Sequence, residues 1–180
     1  LASSRCSSLF KNGEILFEEN KKDPPSRAYL KLYESLTRAG KTPQPGDFCI
    51  DAGGSPGGWA WVIQKLGARV LSIDRSPLDP KIASLSNVEY HKADVFSIKP
   101  SDYDKVDWLF SDVICFPEKL FDWLFIWFES KKCKNFICTI KFQGSPDYSF
   151  AEKFLEIEGS QVVHLYNNKH ELTFIHITKG

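Results

Sequence analysis

The stretch Asp51-Ala52-Gly53-Gly54-Ser55-Pro56-Gly57-Gly58-Trp59 stands between an apolar run, Phe48-Cys49-Ile50, and a helical pattern, Trp61-Val62-Ile63-Gln64-Lys65-Leu66. It predicts a buried strand that ends in an acid and turns sharply through glycines into a helix. Glycines permit positive φ and a close approach of backbone to ligand, and a helix start offers free N–H groups. A second strand, Arg69-Val70-Leu71-Ser72-Ile73, ends in Asp74. That carboxylate lies about 20 residues past the glycines, the spacing at which an acid accepts both ribose hydroxyls of a nucleoside. An adenosine-containing ligand on an open α/β sheet is the expectation.

The loop also discriminates between ligands. A dinucleotide fingerprint places a glycine where the backbone meets a pyrophosphate, and here Ser55 holds that position. Asp51 ahead of the glycines would repel a pyrophosphate but would receive the ammonium group of an amino acid tail. This favours S-adenosylmethionine over NAD.

The motif DAGGSPGGW resembles the first motif of the FtsJ-like RNA 2′-O-methyltransferases, a family marked by a Pro-Gly-Gly-Trp turn. Pro25-Ser26-Arg27-Ala28-Tyr29-Leu30-Lys31-Leu32 is similar to the family's S-R-x-x-x-K-L helix. Ser111-Asp112 ends one strand, Thr139-Ile140-Lys141 ends another, and Glu171 opens the last. Lys31, Asp112, Lys141 and Glu171 thus follow the order of the family's K-D-K-E tetrad. Within the family, Asp112-Val113-Ile114-Cys115 and Leu165-Tyr166-Asn167-Asn168-Lys169-His170-Glu171 are most similar to the bacterial large-subunit rRNA cytidine 2′-O-methyltransferase branch.

What the resemblance implies is specific. The fold is a Rossmann-like S-adenosylmethionine-dependent methyltransferase fold, a mostly parallel sheet closed by a C-terminal antiparallel hairpin, with helices on both faces. The cofactor is S-adenosyl-L-methionine, held by Asp51, the turn Gly53, Gly54, Ser55, Pro56, Gly57, Gly58 and Trp59, and by Asp74, Asp94 and Asp112. Asp94 occupies the place of the family's acid on the adenine amino group; a plain loop acid is the competing reading. The substrate is RNA, ribosomal RNA in this branch, and the branch carries an N-terminal substrate-binding region where this chain shows at most a short arm.

The chemistry explains the tetrad. Methyl transfer from a sulfonium is an in-line displacement, so the nucleophile must be held against the methyl group. A ribose 2′-hydroxyl must lose its proton during attack, and an ammonium cannot take it, so one amine must work unprotonated. Lys141 is assigned as that acceptor, with Asp112 and Glu171 orienting it and Lys31 steadying the hydroxyl or a neighbouring phosphate.

Bulk properties bound the class. The 180 residues suit one domain with a full core, read as a lead-in over 1–25 and a single catalytic domain over 26–180. Net charge is zero, which excludes a polybasic coat. Residues 1–45 nevertheless hold 8 Lys/Arg against 5 Asp/Glu, so Lys21, Lys22 and Arg27 are the candidate RNA contacts. Lys131, Lys132, Lys134 and Lys141 form a second basic run, equally readable as a solvated helix end. Five cysteines without paired spacing suggest buried free thiols rather than disulfides or a metal site. No apolar run reaches 18 residues and no signal peptide is evident, so a soluble cytoplasmic protein is expected. A chain opening at Leu1 with no Met leaves room for residues upstream.

Along the chain, Ser26 is expected to cap a helix from Arg27 to about Arg38, ended by Gly40 and Pro43. Strands are expected near 47–51, 69–74, 88–91, 106–112 and 135–141, and a hairpin from 161–166 and 171–178. The aromatic run Lys119–Phe128 reads as a helix packed on the sheet. Competing functions fit less well. A base N-methyltransferase would show Asn/Asp-Pro-Pro-aromatic where Asp112-Val113-Ile114-Cys115 stands. A carbon-methylating enzyme would need Cys115 in a Pro-Cys context. A cofactor-binding RNA module that relies on a protein partner, or has lost activity, is the non-enzyme alternative, and a dehydrogenase would bind NAD.

Overall fold

The computed structural model describes residue 10, residues 14–143 and residues 148–178. Strand and helix alternate through β1 (Phe48–Ala52), β2 (Arg69–Asp74), β3 (Val88–Lys92), β4 (Val106–Ser111) and β5 (Cys133–Lys141), followed by β6 (Ser160–Val163) and β7 (Glu171–Ile177). The sheet order is β3-β2-β1-β4-β5-β7-β6, with β1 to β5 parallel and β7 antiparallel to both its neighbours. This is the Rossmann-like methyltransferase arrangement. The strand order reverses between β1 and β4, and in such sheets ligands gather beyond the carboxyl ends at that switch point.

Both faces of the sheet are covered because successive residues of each strand point to opposite sides. Cys49, Trp108 and Ile137 pack under α1 (Tyr29–Ala39) and α2 (Gly58–Lys65). Their neighbours Ile50, Leu109 and Phe136 pack under α4 (Pro117–Ser130) and α5 (Phe150–Leu155). α3 (Pro80–Ala83) adds Ile82 to the first cluster. The aromatic run over 119–128 lies in α4 with Leu120, Trp123, Leu124 and Trp127 buried, while Phe125 and Ile126 face solvent. Cys49, Cys115, Cys133 and Cys138 are buried free thiols; the fifth cysteine, Cys6, lies outside the described residues.

Two local expectations are corrected. α1 starts at Tyr29 with Ala28 at the cap position, so Ser26 caps no helix, and its hydroxyl is buried without a partner among the described residues. The C-terminus of α1 does close on Gly40, at φ 65, whose N–H donates to the Thr37 carbonyl. The strand expected over 161–166 stops at Val163, because the Tyr166 N–H is drawn off to the Glu34 carboxylate at 2.9 Å. The lead-in is docked where it is described. Ile15 is buried, Phe17 packs on Tyr33 at 5.5 Å, and the Asn20 N–H donates to the Tyr29 hydroxyl at 2.6 Å. Among the described residues no helix is long and apolar enough to cross a membrane.

Candidate active site

The glycine turn is shaped around two acids. Gly53 takes φ 82, and a Cβ there would come within 2.8 Å of the Val113 backbone. A Cβ on Gly54 would strike the Asp51 carboxylate at 2.5 Å and the Ser72 hydroxyl at 2.0 Å. Glycine is therefore required so that the loop can lie over Asp51. Asp51 is fully buried, with one oxygen 3.5 Å from Ser72 Oγ and with Oδ1 lacking a partner among the described residues. Burial, with the Asp112 and Asp74 carboxylates adding to it, pushes its carboxyl up to about 7.

The orphaned oxygen and the orphaned hydroxyl of Ser26 belong to residues that line the same small cavity of about 50 Å³, with Gly54, Gly58, Trp59 and Asp112. A carboxylate and a hydroxyl with unmet hydrogen-bonding capacity suit an amino acid head group, ammonium on one and carboxylate on the other. The residues present therefore fit the methionine end of S-adenosylmethionine. Ser26 escapes a reading of the sequence as a site residue because its context reads as a helix cap; only burial without a partner exposes it.

The larger cavity, about 550 Å³, is lined by Ser55, Asp74, Arg75, Asp94 and Phe96 together with Asp112, Phe116, Lys119, Lys141 and Gln143. Asp74 ends β2 and accepts the N–H groups of Ser55 at 3.1 Å and Ser76 at 2.8 Å, which ties it to the turn. Asp94 accepts the Phe96 N–H at 3.1 Å as the cap of a short 3-10 turn and pairs with Arg75. The bond from the Phe96 backbone, assisted by Arg75, holds the Asp94 carboxyl below its usual range. The plain-acid and ligand readings of Asp94 thus share one geometry, since it lines the cavity while capping a turn. Trp59 is buried and its indole N–H donates to the Ala28 carbonyl at 2.9 Å, so it fastens α1 to the glycine turn. Pro56 lines the small cavity and its carbonyl takes the Asp79 N–H.

Lys31, Asp112, Lys141 and Glu171 meet at the carboxyl edge of the sheet. Lys31 Nζ lies 2.9 and 2.8 Å from the two Asp112 oxygens and 3.2 Å from Glu171 Oε1. Lys141 Nζ lies 3.0 Å from Asp112 Oδ1 and also donates to the Asp112 carbonyl. Lys141 and Glu171 face each other in the register of β5 and β7. Yet Glu171 bonds Lys31, not Lys141, which corrects the expectation that it orients Lys141. Burial alone would raise the Asp112 carboxyl; the Lys31 and Lys141 ammonium groups outweigh it and hold it low.

An ammonium has three donors. All three of Lys31 are engaged by the two acids, and Lys31 does not line the larger cavity. Lys141 uses two, lines that cavity, and keeps a direction open towards it. The two lysines are therefore unlike: one is a buried brace, the other a group presented to a substrate. Cys115 also lines the cavity, but burial pushes its thiol up to about 11, so it is no nucleophile near neutral pH.

The expected RNA contacts lie on the docked lead-in. Lys21 and Lys22 are exposed beside an Asn20-centred turn, while Arg27 is paired with Glu19 at 3.0 Å, which reduces its value to a phosphate. The second basic run divides. Lys132 donates to the Asp104 carbonyl and Lys134 pairs with Asp107 at 3.7 Å, both at the amino end of β5, away from Lys141 at its carboxyl end. Among the described residues no group of three or more His, Cys, Asp or Glu is placed to hold a metal ion.

Comparison with known proteins bears on the family and the fold. The profile of the FtsJ-like methyltransferases matches residues 24–176. Ribosomal RNA large subunit methyltransferase M of Halorhodospira halophila is 34% identical over 123 residues, covering 67% of this chain and 36% of that protein. The protein of the same name from Xanthomonas oryzae pv. oryzae is 30% identical over 168 residues, covering 85% of this chain and 48% of that one. The chain thus spans between about a third and a half of the length of these curated relatives. A provisionally named methyltransferase from Streptococcus mutans, solved in complex with S-adenosylhomocysteine, superimposes with a TM-score of 0.55 at 12% identity. That superposition covers 83% of this chain and 97% of the other, and shares the fold.

Proposed function

The chain belongs to the FtsJ-like methyltransferase family, and from that premise we propose that it methylates the ribose 2′-hydroxyl of an RNA, ribosomal RNA in particular, with S-adenosylmethionine as donor. The observation that carries this reading is the arrangement of Lys141: one amine with a free direction into the larger cavity, held by Asp112 at the point where the two cavities meet.

S-adenosylmethionine supplies a methyl group on a sulfonium, an electrophile that needs no further activation. Ser26 and Asp51 would hold its amino acid end, Asp74 the ribose and Asp94 the adenine. Lys141, whose ammonium form holds Asp112 low, would first release a proton to solvent and then, as the neutral amine, take the proton of the 2′-hydroxyl as that oxygen becomes a nucleophile. Asp112 fixes the Lys141 nitrogen through both its side chain and its carbonyl, so the amine is aimed before substrate arrives. Lys31 keeps Asp112 and Glu171 together without touching the cavity, which prevents two buried carboxylates from repelling each other. Exposed lysines, Lys21 and Lys22 among them, would meet the phosphate backbone.

The test is direct. The protein is incubated with S-adenosylmethionine and unmodified, in-vitro transcribed large-subunit ribosomal RNA, and the nucleosides are resolved by mass spectrometry. A 2′-O-methylnucleoside is expected. A methylated base in its place would overturn the ribose reading, and absence of transfer with cofactor bound would favour a module that needs a partner.

A further inference from the structure

The larger cavity is lined by more than the residues assigned to the cofactor. Its lining also includes Ile114, Cys115, Phe116, Lys119, Lys141 and Gln143. Two of these are bulky and apolar yet open to solvent: Ile114 is 76% exposed and Phe116 58% exposed. Both sit on the short loop between β4 and α4, immediately after Asp112, and Phe116 is the residue before the helix. Scattered exposed apolar residues need no explanation. Two such residues in one short loop that lines a charged cavity are a different matter, because two amines, Lys119 and Lys141, line that cavity with them. Lys119 stands 4.0 Å over the Phe96 ring, near enough to Asp94 to help hold its carboxyl low, and Lys141 lines the same cavity.

The geometry points to Phe116, backed by Ile114, as the stacking platform for the nucleobase of the target nucleotide, with Lys119 positioned for an adjoining phosphate. This rests on the RNA reading above. A target nucleotide that leaves the stack of its neighbours can bring its hydroxyl to Lys141 and its base to the same cavity lining. The base thus freed exposes two apolar faces, and proteins receive such bases on aromatic side chains with cationic groups beside the backbone. Phe116 is the exposed aromatic in the lining of the cavity that Lys141 also lines. The occupant that fits an apolar face bordered by amines is an unpaired nucleotide, flat and anionic by turns.

The experiment uses unmodified, in-vitro transcribed large-subunit ribosomal RNA as the probe, with binding measured across a salt series and cofactor binding measured separately by calorimetry. Phe116→Ala is expected to weaken RNA binding roughly 5- to 100-fold at every salt concentration, with the salt slope unchanged, because stacking releases no counterions. Lys119→Ala is expected to lower the slope by about 0.7–0.9. Phe116→Trp should restore affinity, and cofactor affinity should stay within about twofold in both Phe116 variants. The proposal is overturned if Phe116→Ala weakens the cofactor as much as the RNA, which would place the ring against adenine. It is equally overturned if RNA affinity is unchanged or if the tryptophan variant behaves like alanine. Wild-type protein that neither binds nor methylates the RNA would sink the RNA reading and this proposal together, a result distinct from the other three.

Discussion

The two ends of the cleft are built in different ways. The cofactor end is local: Asp51, the glycine turn, Asp74 and Asp94 lie within 44 residues of chain, and much of its shape is backbone. The acceptor end is assembled from a helix and the edges of three strands, with Lys31 reaching partners 81 and 140 positions away. The first end tolerates almost no added volume, since a Cβ at Gly53 or Gly54 would collide with its surroundings. The second depends on four side chains whose charges balance. A local end is legible in sequence and fails sterically; an assembled end is legible only through topology and fails electrostatically.

The most severe challenge to this contrast is Lys141→Ala. Methyl transfer should fall by at least about 10²-fold, the low end of what a positioned general base supplies, while cofactor affinity and fold persist. Single-turnover rates and calorimetry on one preparation check both. A loss of cofactor binding of similar size would show that the two ends are not separable. In contrast, Lys31→Ala strips Asp112 and Glu171 of their shared cation, and should cost stability as well as rate, on the order of 3–5 kcal/mol for a broken buried pair.

Asp51 gives a pH test of the cofactor end. Its carboxyl is raised to about 7, above the ordinary carboxylate value, so the folded protein holds a proton that the unfolded chain has released between about pH 4 and pH 7. Stability therefore declines as pH rises through that window and levels off beyond it. Asp51→Asn should remove the slope and stabilise the cofactor-free protein above pH 7 by up to roughly 4 kcal/mol, three units at about 1.4 kcal/mol each. The same variant should bind S-adenosylmethionine more weakly, and wild-type affinity should strengthen as pH rises towards 7. Denaturant titrations at several pH values, with and without cofactor, read both effects; a flat wild-type profile would mean that Asp51 is ionised throughout.

Asp74→Ala should weaken cofactor binding at least about tenfold by removing acceptor bonds, with the tetrad untouched. Calorimetry showing unchanged affinity, or tight binding of NAD, would refute the cofactor assignment. The smallest effect is expected at the exposed basic residues. Neutralising Lys21, Lys22 and Arg27 together should flatten the salt dependence of RNA binding by about 0.7–0.9 for each phosphate no longer neutralised. Because Arg27 is already paired with Glu19, its share should be less than that of either lysine, which single variants would show.

Sequence alone dictated the alternation of strand and helix, and with it a parallel sheet whose carboxyl edge collects Asp51, Asp74, Asp112 and Lys141. That inference works because hydrophobic periodicity, glycines and strand-end acids are local signals set by backbone geometry. Resemblance supplied the tetrad's membership, but not its wiring. Three-dimensional packing decided that Glu171 serves Lys31, that Lys31 is sealed while Lys141 faces the cavity, and that the Ser26 hydroxyl is buried in the lining of the cavity it shares with Asp51 instead of capping α1. It also decided that Arg27 is paired with Glu19 and that the described part of the lead-in is docked. Each of these turns on which of several polar groups, far apart in the chain, arrive within about 3 Å of one another, the reach of a hydrogen bond. Burial then determines which of those hydrogen bonds must be satisfied internally and which remain for a ligand, and burial is a property of the assembled core that no local stretch of residues encodes.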